Sequence, residues 1–157
     1  VTAATRLAEL GLTLPAVAAP VASYVPAVRD GDLVFTSGQL PFVDGTLAVT
    51  GKVGTSGSDL VDPDTAEQLA ATCALNAIAA AASVVGSVDD IVQVVKVVGF
   101  VASDPSFTGQ PTVINGASNL LREVFGDAGQ HARSAIGVAV LPLDSPVEVE
   151  IVVRVRS

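Results

Sequence analysis

Ile91-Val92-Gln93-Val94-Val95-Lys96-Val97-Val98-Gly99-Phe100-Val101-Ala102 is apolar at both its odd and its even positions and is dominated by valine. A strand with one wet face alternates apolar with polar residues, so a run that does not alternate reads as a central strand covered on both sides. The segments flanking it fit helices that would cover it. Upstream, Asp62-Pro63-Asp64 supplies an Asx cap, a proline near the first helical position and, with Glu67, an acidic first turn. Leu75, Ile78, Ala82 and Val85 then recur at spacings of three and four until Gly86 stops the helix. Downstream, a second helix begins at Pro111, carries the stripe Val113, Ala117, Leu120, Leu121 and Val124, and ends at Gly126.

Further out, the pattern predicts two C-terminal strands, 133–141 and 147–155, joined by the turn Leu143-Asp144-Ser145-Pro146. In the last strand Val147, Val149, Ile151, Val153 and Val155 share one face, while Glu148, Glu150, Arg154 and Arg156 share the other. Towards the N-terminus, β-rich pieces at 25–28 and 33–37 flank Arg29-Asp30-Gly31-Asp32, which has the residues of a tight hairpin. Gly38 and Pro41 end regular pairing, and the Gly-, Ser- and Thr-rich stretch 51–58 reads as a surface loop. A short amphipathic helix is expected over 5–12, followed by an extended, proline-containing segment over 15–26. Hairpin, helix, strand, helix and two strands make an α+β fold: one mixed sheet with two helices on a single face. The expectation is one domain over 1–157, with 1–23 an N-terminal extension.

A central strand apolar on both sides needs a cover on the second face as well. Half of the 157 residues are apolar and only 15% are charged, so that cover is expected to be other copies of the chain. Eight Lys and Arg against sixteen Asp and Glu leave a net charge of -8, an average field that repels a phosphate backbone and disfavours a nucleic-acid partner. A single cysteine, Cys73, forbids an intrachain disulfide, and a single histidine, His131, leaves too few soft ligands for a zinc or iron site. The uncharged run 68–87 is too rich in alanine, with Gln68, Thr72 and Asn76, to read as a membrane span, and no signal-peptide pattern is evident. A cytoplasmic setting is expected.

The residues that could carry chemistry lie in the last quarter. Arg133 and Glu148 are read on two neighbouring apolar strands. Arginine carries a fixed charge on a planar fork of donors, so an apolar strand holding one must supply an anion: Glu148 in a structural ion pair, or a ligand. Taken as residues alone, Tyr24 reads as an amphipathic side chain at the sheet edge, Ser37 and Gln39 as turn residues, and Cys73 as inert packing. His131, beside a glycine-containing loop, reads as solvent-exposed rather than as the base of a serine nucleophile.

Taken together, Tyr24, Gly31-Asp32-Leu33-Val34-Phe35-Thr36-Ser37-Gly38-Gln39-Leu40-Pro41, Asn76, Ala132-Arg133-Ser134-Ala135-Ile136-Gly137-Val138, Leu141-Pro142 and Val147-Glu148-Val149-Glu150 resemble the RidA family, also called YjgF/YER057c/UK114. The resemblance runs from Tyr24 to Val153 and is closer to a longer bacterial subgroup whose members mostly lack an assigned activity. It implies a chorismate-mutase-like fold assembled as a homotrimer with clefts between subunits, and hydrolysis of reactive 2-imino acids to 2-oxo acids and ammonia without cofactor or metal. The alternative it leaves open is a trimer that binds small carboxylate metabolites without turning them over. By position, Arg133 matches the arginine that grips the substrate carboxylate and Glu148 the glutamate that orients water. Tyr24, Ser134 and Ala135 would line the cleft, with Asn115 or Ser118 as the counterpart of a cleft asparagine. Ala135 stands where the deaminases usually carry a cysteine.

Overall fold

The computed structural model describes residues 1–19 and 22–157. Five strands, β1 (Ala27–Asp30), β2 (Leu33–Thr36), β3 (Ile91–Ala102), β4 (Ala132–Val138) and β5 (Val147–Val155), form one sheet in the order β1-β2-β5-β3-β4. The helices are α1 (Ala3–Glu9), α2 (Pro63–Ser83) and α3 (Gln110–Phe125). β3 and β4 run parallel, which requires a crossover, and α3 is that crossover; every other pairing is antiparallel. Gly31, at φ +60°, opens the two-residue turn between Asp30 and Leu33, the place where a primed hairpin turn wants glycine.

The helix signals act locally. Asp62 accepts from the Asp64 amide and caps α2, Pro63 opens it, and Gly86 lies beyond its end at φ +97°. From Cys73 to Ala82 α2 is buried on nearly every side, so the predicted narrow stripe is a helix sunk between the sheet and α3. In α3 every predicted stripe residue, Val113, Ala117, Leu120, Leu121 and Val124, is buried.

Register follows from the valine face of β5. Val147, Val149, Ile151, Val153 and Val155 are all in the core, each contributing roughly 1.5–3 kcal/mol on burial against about 0.2–1 kcal/mol for a cross-strand polar pair. A slip of one residue would put Glu148 and Glu150 into that core, so the apolar face decides. The opposite face carries Phe35, Val98, Phe100, Ile136, Glu148, Glu150 and Val152, exposed or half-buried with no helix over them.

Two expectations need correction. The strands of Arg133 and Glu148 are not neighbours, because β3 lies between β4 and β5. The 51–58 segment is not a surface loop throughout: Val53 is fully buried, its amide donates to the Ala102 carbonyl, and its own carbonyl accepts from Asp104. Residues 55–59 do form an exposed tip. Residues 15–19 are neither helix nor strand; Pro20 and Val21, also read as extended, lie outside the described residues. Among the described residues no helix is long and apolar enough to cross a membrane.

Candidate functional site

Arg133 faces the helices. It pairs in register with Val97, a core residue, and its side chain crosses to α3. There Nη1 donates to Asn115 Oδ1 at 2.8 Å and Ser118 Oγ at 3.3 Å, and Nη2 donates to the Pro111 carbonyl at 3.2 Å. Residues 111, 115 and 118 are spaced by four and three, so one face of α3 presents all three acceptors. Both candidates for the cleft asparagine's position thus touch the arginine. All of these partners are uncharged, and of the five guanidinium donors two, Nε–H and one on Nη2, stay available to a ligand.

His131 belongs to this cluster. Its Nδ1 lies 2.6 Å from the Gly129 carbonyl, which can only accept, so Nδ1 carries the proton. Nε2 is then an acceptor, and the Ser118 hydroxyl donates to it over 2.9 Å. Ser118 therefore accepts from Arg133 while donating to His131. Burial, then the positive charges of Arg133 and Arg122, hold the imidazole below its usual range. Against the sequence expectation, His131 is not solvent-exposed but half-buried and hydrogen-bonded at both ring nitrogens. The signal was available, since His131 precedes Arg133 by two residues, the strand period, and Ser118 shares the α3 face of Asn115. With Asn119, Arg122 and Gln130, these residues line a shallow depression of about 420 Å³.

Glu148 sits elsewhere. It alternates with the buried Val147 and Val149, pairs in register with Phe100, and so lies on the sheet face that the helices leave open. One intervening strand, β3, and the opposite faces of the sheet separate it from Arg133, which removes the intrachain ion pair. Its carboxylate lies over Gly38, where a Cβ would collide with Oε1. Gly38 is therefore the residue that lets the carboxylate settle against the backbone. Burial, then repulsion from Glu150, pushes the Glu148 carboxyl above the usual carboxylate range.

The segment 37–42 is held firmly. Gln39 and Val149 exchange both backbone hydrogen bonds, at 2.8 and 3.0 Å, and the buried Asn76 donates to the Leu40 and Phe42 carbonyls at 3.0 Å each. Tyr24, which is exposed, joins Gly38, Gln39 and Phe42 around a small concavity of about 30 Å³. Of the other sequence candidates, Ser134 projects to the open face and accepts from Lys96 Nζ at 3.2 Å. Ala135 returns to the helix side and packs on the core. The candidates thus fall into two groups: Arg133 with Asn115, Ser118 and His131 on the helix side of the β4 edge, and Glu148 with Gly38, near Tyr24, on the open face of the central strand β5. Among the described residues no cluster of three or more His, Cys, Asp or Glu is placed to hold a metal.

Comparison with known proteins finds the same fold over nearly the whole chain. The family described as "YjgF/chorismate_mutase-like, putative endoribonuclease" matches residues 4–155. Protein TCP17 of Trypanosoma cruzi is 41% identical over 155 residues, covering 98% of this chain and 94% of that protein. The crystal structure of Atu1372 from Agrobacterium tumefaciens, a protein of unknown function, is 44% identical with a TM-score of 0.88, covering 98% of this chain and 92% of that one. E. coli TdcF, crystallised with bound serine, is 26% identical with a TM-score of 0.61, covering 92% and 96%. The chain belongs to the YjgF/RidA-like family and has its chorismate-mutase-like fold.

Proposed function

We propose that this protein hydrolyses 2-imino acids to 2-oxo acids and ammonia in clefts between the subunits of a cytoplasmic homotrimer. The observation that carries the reading is the state of Arg133: three neutral acceptors fix its guanidinium, and two donors remain for an anion. A bidentate, charge-assisted pair with the substrate carboxylate would set one orientation for the reacting C=N carbon. The separation of Arg133 from Glu148 within one chain supports a shared cleft, in which the partner subunit's Glu148 faces the substrate held by Arg133. The bound serine of TdcF, an amino acid with a free carboxylate, is consistent with such an anchor.

In this reaction the glutamate takes a proton as water attacks the imine carbon. The C–O bond forms, the C=N electron pair moves to nitrogen, and the glutamate returns its proton there to give the carbinolamine. The carbinolamine hydroxyl then gives up its proton, which the glutamate passes to nitrogen, as the C=O bond forms and the C–N bond breaks, releasing ammonia and leaving the 2-oxo acid. General-base help of this kind is worth roughly 10²- to 10⁴-fold, enough for an already electrophilic imine. A carboxylate held above its usual range by burial and Glu150 is a better proton acceptor than an exposed one, once ionised.

The second reading, a trimer that binds carboxylate metabolites without turnover, is favoured by Ala135, which puts a methyl group where the deaminases usually have a thiol. A ribonuclease reading has the net charge of -8 against it. The test generates 2-iminobutyrate in situ and follows 2-oxobutyrate release with wild type, Arg133→Ala and Glu148→Ala at equal trimer concentration. Acceleration that both substitutions abolish is expected. A folded wild type that binds 2-oxobutyrate through Arg133 but does not accelerate imine decay would replace the hydrolase by the binding protein.

A further inference from the structure

The depression beside Arg133 continues past it. Arg122 lies on α3 one turn beyond Ser118, on the same helix face, and lines the same basin together with Asn119 and Gln130. Not one carboxylate lines it among the described residues, in a chain with sixteen acidic and eight basic residues. We propose that this basin takes a small carboxylate bearing a second anionic group, carboxylate or phosphate, with Arg133 holding the first anion and Arg122 the second. The proposal rests on the reading of Arg133 as a ligand anchor and names the ligand class.

Charge is the reason. Two arginines stand around one imidazole and repel each other across a shallow, partly desolvated surface. A monoanion on Arg133 offsets one of them, whereas a dianion offsets both. The field of Arg122 reaches into the basin: it acts on His131 together with that of Arg133, after burial, to disfavour the imidazolium. On its far side Arg122 borders a separate depression with Glu123 and Asp127. No hydrogen bond joins its guanidinium to either residue among the described ones, so its donors are available to turn towards the basin. The Asn119 and Gln130 amides add neutral donors that suit either a carboxylate or a phosphate.

Titration calorimetry tests this with 2-oxobutyrate, 2-oxoglutarate and 3-phosphoglycerate against wild type, Arg122→Ala, Arg122→Glu and Arg133→Ala, each confirmed folded by circular dichroism. Wild type is expected to bind 2-oxoglutarate or 3-phosphoglycerate, each with a second anionic group, about tenfold more tightly than 2-oxobutyrate. Arg122→Ala should bring that ligand down to the level of 2-oxobutyrate, Arg122→Glu below it, and Arg133→Ala should weaken all three. A phosphate carries more charge than a carboxylate, so the second group is identified by which ligand loses its advantage in Arg122→Ala rather than by which binds more tightly. Equal affinities for all three anions in wild type, or a preference for the second anionic group that survives Arg122→Ala, overturns the proposal and leaves Arg133 as a monoanion anchor. Failure of every anion to bind folded wild type overturns both readings together.

Discussion

Arg133 has three of its donors fixed by groups that carry no charge, so its positive field is left for whatever enters the basin. A charge-assisted, bidentate contact is worth about 1.5–3 kcal/mol, so Arg133→Ala is expected to weaken 2-oxobutyrate binding roughly 10- to 100-fold by calorimetry. Arg133→Lys keeps a charge but loses the fork, and it should fall well short of wild type. His131 offers a direct probe because it is the only histidine in the chain. By NMR its imidazole should titrate below the ordinary value of about 6.5, and Arg133→Gln should move it upward. The folded state disfavours the proton, so the unfolded chain binds more of it. Stability should therefore rise with pH between the depressed folded value and the ordinary one, and urea midpoints of His131→Gln should lose that slope. In the sequence these residues were visible one at a time. The partnership of Ser118 with His131 is not legible there, because the α3 face and the segment entering β4 meet only after folding.

The two helices depend on close approaches that glycine permits. Gly116 in α3 lies against the Glu67 backbone carbonyl of α2, and Gly99 in β3 lies under the Ile114 side chain. In an open helix Gly→Ala gains about 0.5–1 kcal/mol, but here the new Cβ would strike backbone, which cannot turn aside as a side chain can. Overpacking at roughly 1–3 kcal/mol outweighs the propensity gain, so Gly116→Ala should lower the melting temperature by a few degrees in calorimetry. A rise would mean that the helices slide apart without cost. Helix ends were legible in the sequence because caps act within one turn, as Asp62 and Gly86 do. The burial of α2 on nearly all sides was less so, since alanine periodicity is too weak to tell one buried face from several.

At the scale of the molecule, an apolar strip with Phe35, Val98, Phe100, Ile136 and Val152 lies on a face that no helix covers. The two groups of site residues sit on opposite faces of the sheet, one strand apart. If a cleft joins the Arg133 group of one copy to the Glu148 group of another, an Arg133→Ala chain and a Glu148→Ala chain can complement each other. Random mixing by co-expression should restore about a quarter of wild-type turnover, since each intact cleft needs the right chain on both sides. Mixtures as inactive as the two separate variants would place the whole site within one chain.

The presence of each strand and helix was already written in the residues, and so was the buried face of β5 and of α3. Valine alternation in β5 and the α3 stripe have periods shorter than the elements themselves, and the valine-dominated run of β3 is apolar at odd and even positions alike. Which strand lies beside which was not. Nothing between His131 and Val155 says that β3 will insert between β4 and β5, because strand order is set by long-range pairing and by the α3 crossover. That insertion, together with the two-residue period of strands, puts Arg133 against α3 and Glu148 on the open face. Their distance from each other, and the company of Ser118 and His131, came from packing between segments remote in the chain.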